Sequence, residues 1–276
     1  VAEIANASLK LAARAENILV VRQALTGVAE CIGLDAIETN DLVTATTEAA
    51  NNVVVHAYEG GEGPLEVEVY GHPLGLRVVV RDHGVGMQVA GAPVESVSAA
   101  IGLTVIQALA GEVELGDVEG GGVEVRMLFA MAKSLEPVPA NGGGEVRTRA
   151  GGETAATAVE LTLAPSSLAR CVVPRVLSAL AARAHFSTDR ISDLQVIADA
   201  LVAHAERSIS GTHLGLGVAL APRSLELEIG PLLAGSAGSL LGAADGDGPV
   251  IERLTDAQAV APRGGAETLA LRVTER

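Results

Sequence analysis

Aromatic residues are nearly missing from this chain: 1% of 276 residues, with two Tyr, two Phe and no Trp. The core must therefore be built from Leu, Val, Ile and Ala, and a platform of stacked aromatics for single-stranded nucleic acid is ruled against. Positive charge is also scarce, with 19 Lys and Arg against 34 Asp and Glu and a formal charge of −15. Neutralising phosphates needs clustered cations, so nonspecific binding to DNA, RNA or an anionic membrane is disfavoured. The deficit is uneven: residues 1–135 hold 18 acids and 7 bases, while residues 136–276 hold 16 and 12. An anionic ligand of the first half must rely on backbone N–H groups, helix ends or a metal ion.

The two cysteines, Cys31 and Cys171, show no CxxC or Cys/His ligand spacing. A zinc site or disulfide framework is not expected, and buried free thiols in a reducing compartment are. No apolar run approaches the roughly 18 residues of a transmembrane helix, and no basic segment followed by an apolar one opens the chain. A cytoplasmic protein without a membrane partner is expected.

Apolar residues are plentiful, at 49%, enough for two modest cores. The composition breaks in the Pro- and Gly-rich stretch "EPVPANGGGEVRTRAGGETAAT", which separates a domain at 1–135 from one at 158–276 by a linker at 136–157. In the first domain, "SLKLAA" reads as a strand, and residues 14–32 and 38–57 carry the helical apolar period, the second after capping residues Thr39, Asn40 and Asp41. "LEVEVYGHPLGLRVVVRD" reads as a hairpin, "IGLTVIQALAG" as a short helix and "EVELGDVEGGGVEVRMLFA" as a second hairpin. This order predicts an α/β chain with helices layered on one face of a mixed or antiparallel sheet, an α+β two-layer sandwich. "ELTLA" at 160 and "SDLQVIADALVAHA" at 192 repeat "SLKLA" at 8 and "NDLVTATTEAANNV" at 40 with one offset, so two tandem copies are expected.

Glu48, Asn52 and His56 recur at i, i+4 and i+8, which on a helix share roughly one face. Asp82, Gly84 and Gly86 follow a strand in "RDHGVGM": the carboxylate can accept from an amine while the glycines let backbone approach a flat ring. D-x-G is also ordinary turn chemistry, and an isolated helix acid is commonly a solvated one. The three motifs together, "EAANNVVVHAY", "DHGVG" and the later Gly102, resemble the GHKL ATPases. That superfamily includes gyrase B and the histidine-kinase catalytic domains, and the likeness is greatest to the anti-sigma-factor serine kinases. It covers residues 8 to about 131.

The resemblance implies a Bergerat-type ATP-binding fold, with Asn52 coordinating Mg²⁺ on the ATP phosphates and Glu48 as general base. It also implies Asp82 on the adenine amino group with Gly84 and Gly86 beside the base, and Gly102 at a phosphate-binding turn opening the next helix. His56 belongs to the signature and is expected at the helix C-terminus; Tyr58 and Met87 are expected in the core or rim. The implied function is an anti-sigma regulator transferring phosphate to a serine of a STAS-type anti-anti-sigma partner, with a sigma factor as a further partner. Dimers, or an internal pseudo-dimer of the two copies, go with it. The chain departs from the family in a short segment, "MQVAGAPVESVSAA", without a basic residue, and in Ala100 where the turn should have its first glycine. Left-handed geometry would cost Ala about 1 kcal/mol, which weighs against fast phosphoryl transfer. A rival reading is therefore a partner-binding module without turnover; a detached histidine-kinase catalytic domain is a third, weakened because no phosphoacceptor helix precedes the ATPase region. In the second copy, Ala200, His204 and Pro231 stand where Glu48, Asn52 and Asp82 do, so no nucleotide site is expected there.

Overall fold

The computed structural model describes residues 3–84, 97–139, 158–242, 244–245 and 248–275. The chain divides into two compact units, Glu3–Val138 and Pro139–Arg276. Residues 140–157, most of the expected linker, lie outside the described residues.

Counting strands and α-helices longer than two residues, the first unit contains β1 (Ala7–Ala12), α1 (Ile18–Ile32), α2 (Ala36–His56), β2 (Pro64–His72), β3 (Gly75–Asp82), α3 (Val97–Leu109), β4 (Glu112–Asp117) and β5 (Val123–Ala130). Within this unit the strands pair antiparallel in the order β1-β2-β3-β5-β4. Strand alternation turns Leu9 and Leu11, Leu65, Val67 and Val69, and Leu76, Val78 and Val80 into the core. The helices cover that face, contributing Val21, Leu25, Leu42, Ala45, Ala49 and Ile106, all buried. The helices-on-one-face architecture expected from the element order is the one observed.

Helix α2 starts earlier than expected. Its N-cap is Asp35, whose Oδ1 accepts from the N–H groups of Ile37 and Glu38 at 2.8 Å, while Glu38 accepts from the Asp35 N–H at 3.0 Å. This reciprocal capping box satisfies the orphan donors of the first turn, so Thr39, Asn40 and Asp41 lie inside the helix. Helix α1 ends on Gly33, in the left-handed region at φ +70°, with its N–H turned back to the last carbonyls.

The second unit contains β6 (Ala158–Leu163), α4 (Ala169–Arg183), α5 (Thr188–Ser208), β7 (Leu214–Ala221), β8 (Ser224–Leu233), α6 (Ser236–Leu241), α7 (Val250–Leu254), β9 (Ala257–Arg263) and β10 (Ala266–Thr274). Its strands pair antiparallel in the order β6-β7-β8-β10-β9, the same path as in the first unit. The long helices match in length and spacing: α2 runs from 36 to 56 and α5 from 188 to 208.

The expectation of free thiols is overturned: neither cysteine is free, and Cys31 and Cys171 are both disulfide-bonded. Sequence spacing could not show this, because a disulfide depends on how closely the fold brings two Cβ atoms together. Among the described residues no helix is long and apolar enough to cross a membrane.

Candidate functional site

Helix α2 packs on β2 and β3 and lies against both α1 and α3. Its buried side is mostly Ala, Thr and Val, small enough for close approach. Glu48 and Asn52 are half-buried on the side turned to α3. There Gly102 permits close approach: a Cβ at that position would stand 3.3 Å from Asn52 Oδ1, 3.4 Å from Asn52 Nδ2 and 3.6 Å from Glu48 Oε2. The absent side chain thus lets an amide and a carboxylate come up against the α3 backbone together. No hydrogen bond or ion pair holds either side chain among the described residues. Two half-buried polar groups side by side without a protein partner can serve a ligand.

His56 does not join them. It is exposed at the last turn of α2, because positions four apart advance about 40° around the axis and the third has turned away. An imidazole there complements the helix C-terminus.

Asp82 ends β3 on its core face, the next step after Leu76, Val78 and Val80. It is only 3% exposed. One carboxylate oxygen accepts from the Gly84 N–H at 2.8 Å, and no second hydrogen bond to the carboxylate occurs among the described residues. A buried carboxylate with spare acceptor capacity suits a ligand donor. Gly84 is required sterically, since a Cβ there would overlap the Ala57 carbonyl just past α2. Gly122, at φ +104° in the β4–β5 turn, likewise sits where a side chain would overlap the Asp82 carbonyl. Two elements distant in sequence therefore press on the Asp82–Gly84 turn.

On the opposite face of the sheet, Arg81 bridges Glu66, Glu68 and Glu124, and His83 lies 3.6 Å from Glu66. Burial would push the Glu66 carboxyl up, but Lys10, with His83 and Arg81, outweighs it and holds the group below the usual carboxylate range. This network braces the strand that carries Asp82.

Gly86 and Met87 lie outside the described residues, as does the segment that follows them. Gly102 is not in a turn ahead of a helix, as expected from the family pattern; α3 begins at Val97 and Gly102 lies in its second turn. Ala100 explains the difference, because Ala favours a helix by about 1 kcal/mol over the glycine it replaces. Tyr58, expected in the core or rim, is half-buried; Gly122 is not foreseen as part of the site, although the run of glycines at 120–122 marks a turn needing positive φ.

In the second unit Ala200 and His204 occupy α5, and His204 Nδ1 lies 3.0 Å from the Ala200 carbonyl, a bond within the helix. Buried Leu76, Val78 and Val80 precede Asp82 on β3 as buried Leu225, Leu227 and Ile229 precede Pro231 on β8, so strand alternation puts Pro231 at the Asp82 position. There the chain after α5 closes on the strand: Ile209 bridges to Leu232 and the Ser210 N–H donates to the Pro231 carbonyl at 2.9 Å.

Comparison with known proteins matches residues 11–129 to the family described as the histidine kinase-like ATPase domain. Over these residues the chain is similar to a histidine kinase-like ATPase domain. The serine-protein kinases RsbW of Bacillus thuringiensis (strain Al Hakam) and Bacillus cereus (strain AH820) are each 31% identical to this chain over 77 residues, 28% of its length. The chain spans about half the length of these curated relatives, 48% of each. A solved structure titled crystal form III of TP0453 covers 99% of this chain and 92% of its own at 9% identity, with a TM-score of 0.35, a likeness that carries no argument. The matched residues include Glu48, Asn52, Asp82, Gly84 and Gly102.

Proposed function

We propose that the first unit binds Mg-ATP and passes the γ-phosphoryl group to a serine of a protein partner, of the anti-anti-sigma STAS type, in an anti-sigma regulatory role. The convergence of Glu48 and Asn52 on Gly102, with Asp82 at the strand end, carries this reading. Similarity to serine-protein kinases supports the reaction class.

The residues present fit the cofactor. Asn52 Oδ1 faces Gly102 next to Glu48, and this neutral oxygen would be the protein's ligand to the metal. That suits Mg²⁺, which keeps waters and phosphate oxygens as most of its ligands. Bound Mg-ATP supplies the phosphoryl group and the charge that neutralises it. Asp82 would accept from the exocyclic amine of the base. Glu48, one turn from Asn52 on the same side of α2, would accept the proton of the attacking serine hydroxyl. The chain's work is positioning and electrostatics, as phosphoryl transfer requires.

A second reading, a partner-binding module without turnover, is favoured by Ala100 and by the basic-free segment before it. Calorimetry and transfer assays separate the two. Asn52→Ala should weaken Mg-ATP binding by about 1.5–3 kcal/mol, roughly ten- to a hundredfold. Glu48→Ala should keep binding and lose transfer to a STAS partner by about 10²–10⁴-fold. Equal ATP binding by Asn52→Ala overturns the site; binding without any transfer in the wild type establishes the second reading.

We further propose that the second unit is a degenerate copy without a nucleotide site. Loss of the three residue types and the closure of Ser210 on Pro231 support this.

A further inference from the structure

Tyr58 follows α2 in the glycine-rich stretch "AYEGGEG". Its hydroxyl donates to the Pro64 carbonyl at 2.5 Å and accepts from the His83 N–H at 3.0 Å. Gly63 lies under the ring, where any Cβ would overlap it. His83 is the middle residue of the Asp82–Gly84 turn, so one phenol ties the end of α2, the start of β2 and that turn together. The turn's other side is held by Gly84 against the Ala57 carbonyl.

We propose that Tyr58 is a positioning residue for base recognition: its hydroxyl fixes the His83 backbone and thereby aims the free acceptor of Asp82 at the exocyclic amine of an adenine-type base. The inference rests on the nucleotide site proposed above. Phenylalanine cannot replace Tyr58 in this role, since it fills the same space over Gly63 but offers the His83 N–H no acceptor. Burial, with the charges of Asp82 and Glu66, raises the Tyr58 phenol above its usual value against the opposing pull of the His83 N–H, which keeps the proton it donates. Guanine presents a carbonyl oxygen where adenine presents its amine, so a loosened Asp82 should cost selectivity as well as affinity.

The test uses the full chain with Tyr58→Phe. Amide hydrogen exchange of His83 is followed in the nucleotide-free protein, and dissociation constants for Mg-ATP and Mg-GTP are measured by calorimetry. Exchange at His83 should accelerate about tenfold or more, and the preference for ATP over GTP should shrink about tenfold. Gly63→Ala, which displaces the ring while keeping the hydroxyl, should produce the same pair of changes if Tyr58→Phe proves too unstable to study. A variant that folds with either readout at its wild-type value overturns the role assigned to Tyr58. If the wild type itself binds no ATP, the nucleotide site falls and this role with it; if it discriminates and the variant does so equally, only Tyr58 is removed.

Discussion

At position 102 a side chain would enter the space that Glu48 and Asn52 share. Gly102→Ala should therefore separate folding from binding. Alanine gains about 1 kcal/mol of helix propensity over glycine in the second turn of α3, offset by a contact 3.3 Å from Asn52 Oδ1 that the amide can relieve by a small rotation. The melting temperature should not fall, while ATP affinity should drop at least about tenfold because the methyl group occupies ligand space. Thermal denaturation and calorimetry on one preparation check both halves. A parallel loss of stability and affinity would mean that Gly102 serves packing alone.

At the scale of elements, the start of α3 sets which N–H groups would face the phosphates in the nucleotide site proposed above. The first four N–H groups of a helix lack internal partners and point outward, ready for an anion. With α3 beginning at Val97, those donors lie a turn ahead of Gly102. Ala100→Gly should lower the propensity of that first turn by about 1 kcal/mol, let the 100–102 backbone unwind toward a ligand and tighten Mg-ATP binding about fivefold. Calorimetry on the variant reads this directly. Weaker binding would show instead that the ligand uses the helix as it stands. Gly102 matches the family turn by position, yet the helix formers Ala99, Ala100 and Leu103 lie beside it and α3 runs through it.

At the scale of the whole molecule, the two units follow one strand path but differ at one end. The first keeps Asp82 beneath a turn that Tyr58 and Gly122 brace; the second pairs Ser210 with Pro231 and Ile209 with Leu232 at the equivalent place. Titration of the full chain with Mg-ATP should accordingly saturate at one equivalent per chain. A stoichiometry of two would overturn the reading of the second unit as degenerate.

The sequence by itself determined the local order. Period-two alternation set the core faces of β2 and β3, and with them the inward direction of Asp82; the four-residue spacing put Glu48 and Asn52 on one side of α2. These follow from backbone geometry over a few residues, so a linear string carries them. It carried the cap of α2 less well, because Thr39, Asn40 and Asp41 look as suitable as Asp35 until Glu38 is seen reaching back to it. The tertiary structure alone decided which face of α2 meets Gly102, 50 residues on; that the Tyr58 hydroxyl accepts from His83, 25 residues away; and that neither cysteine is free. Such contacts depend on where separate elements stop against one another, a balance of packing and close backbone approach that no short window of sequence contains.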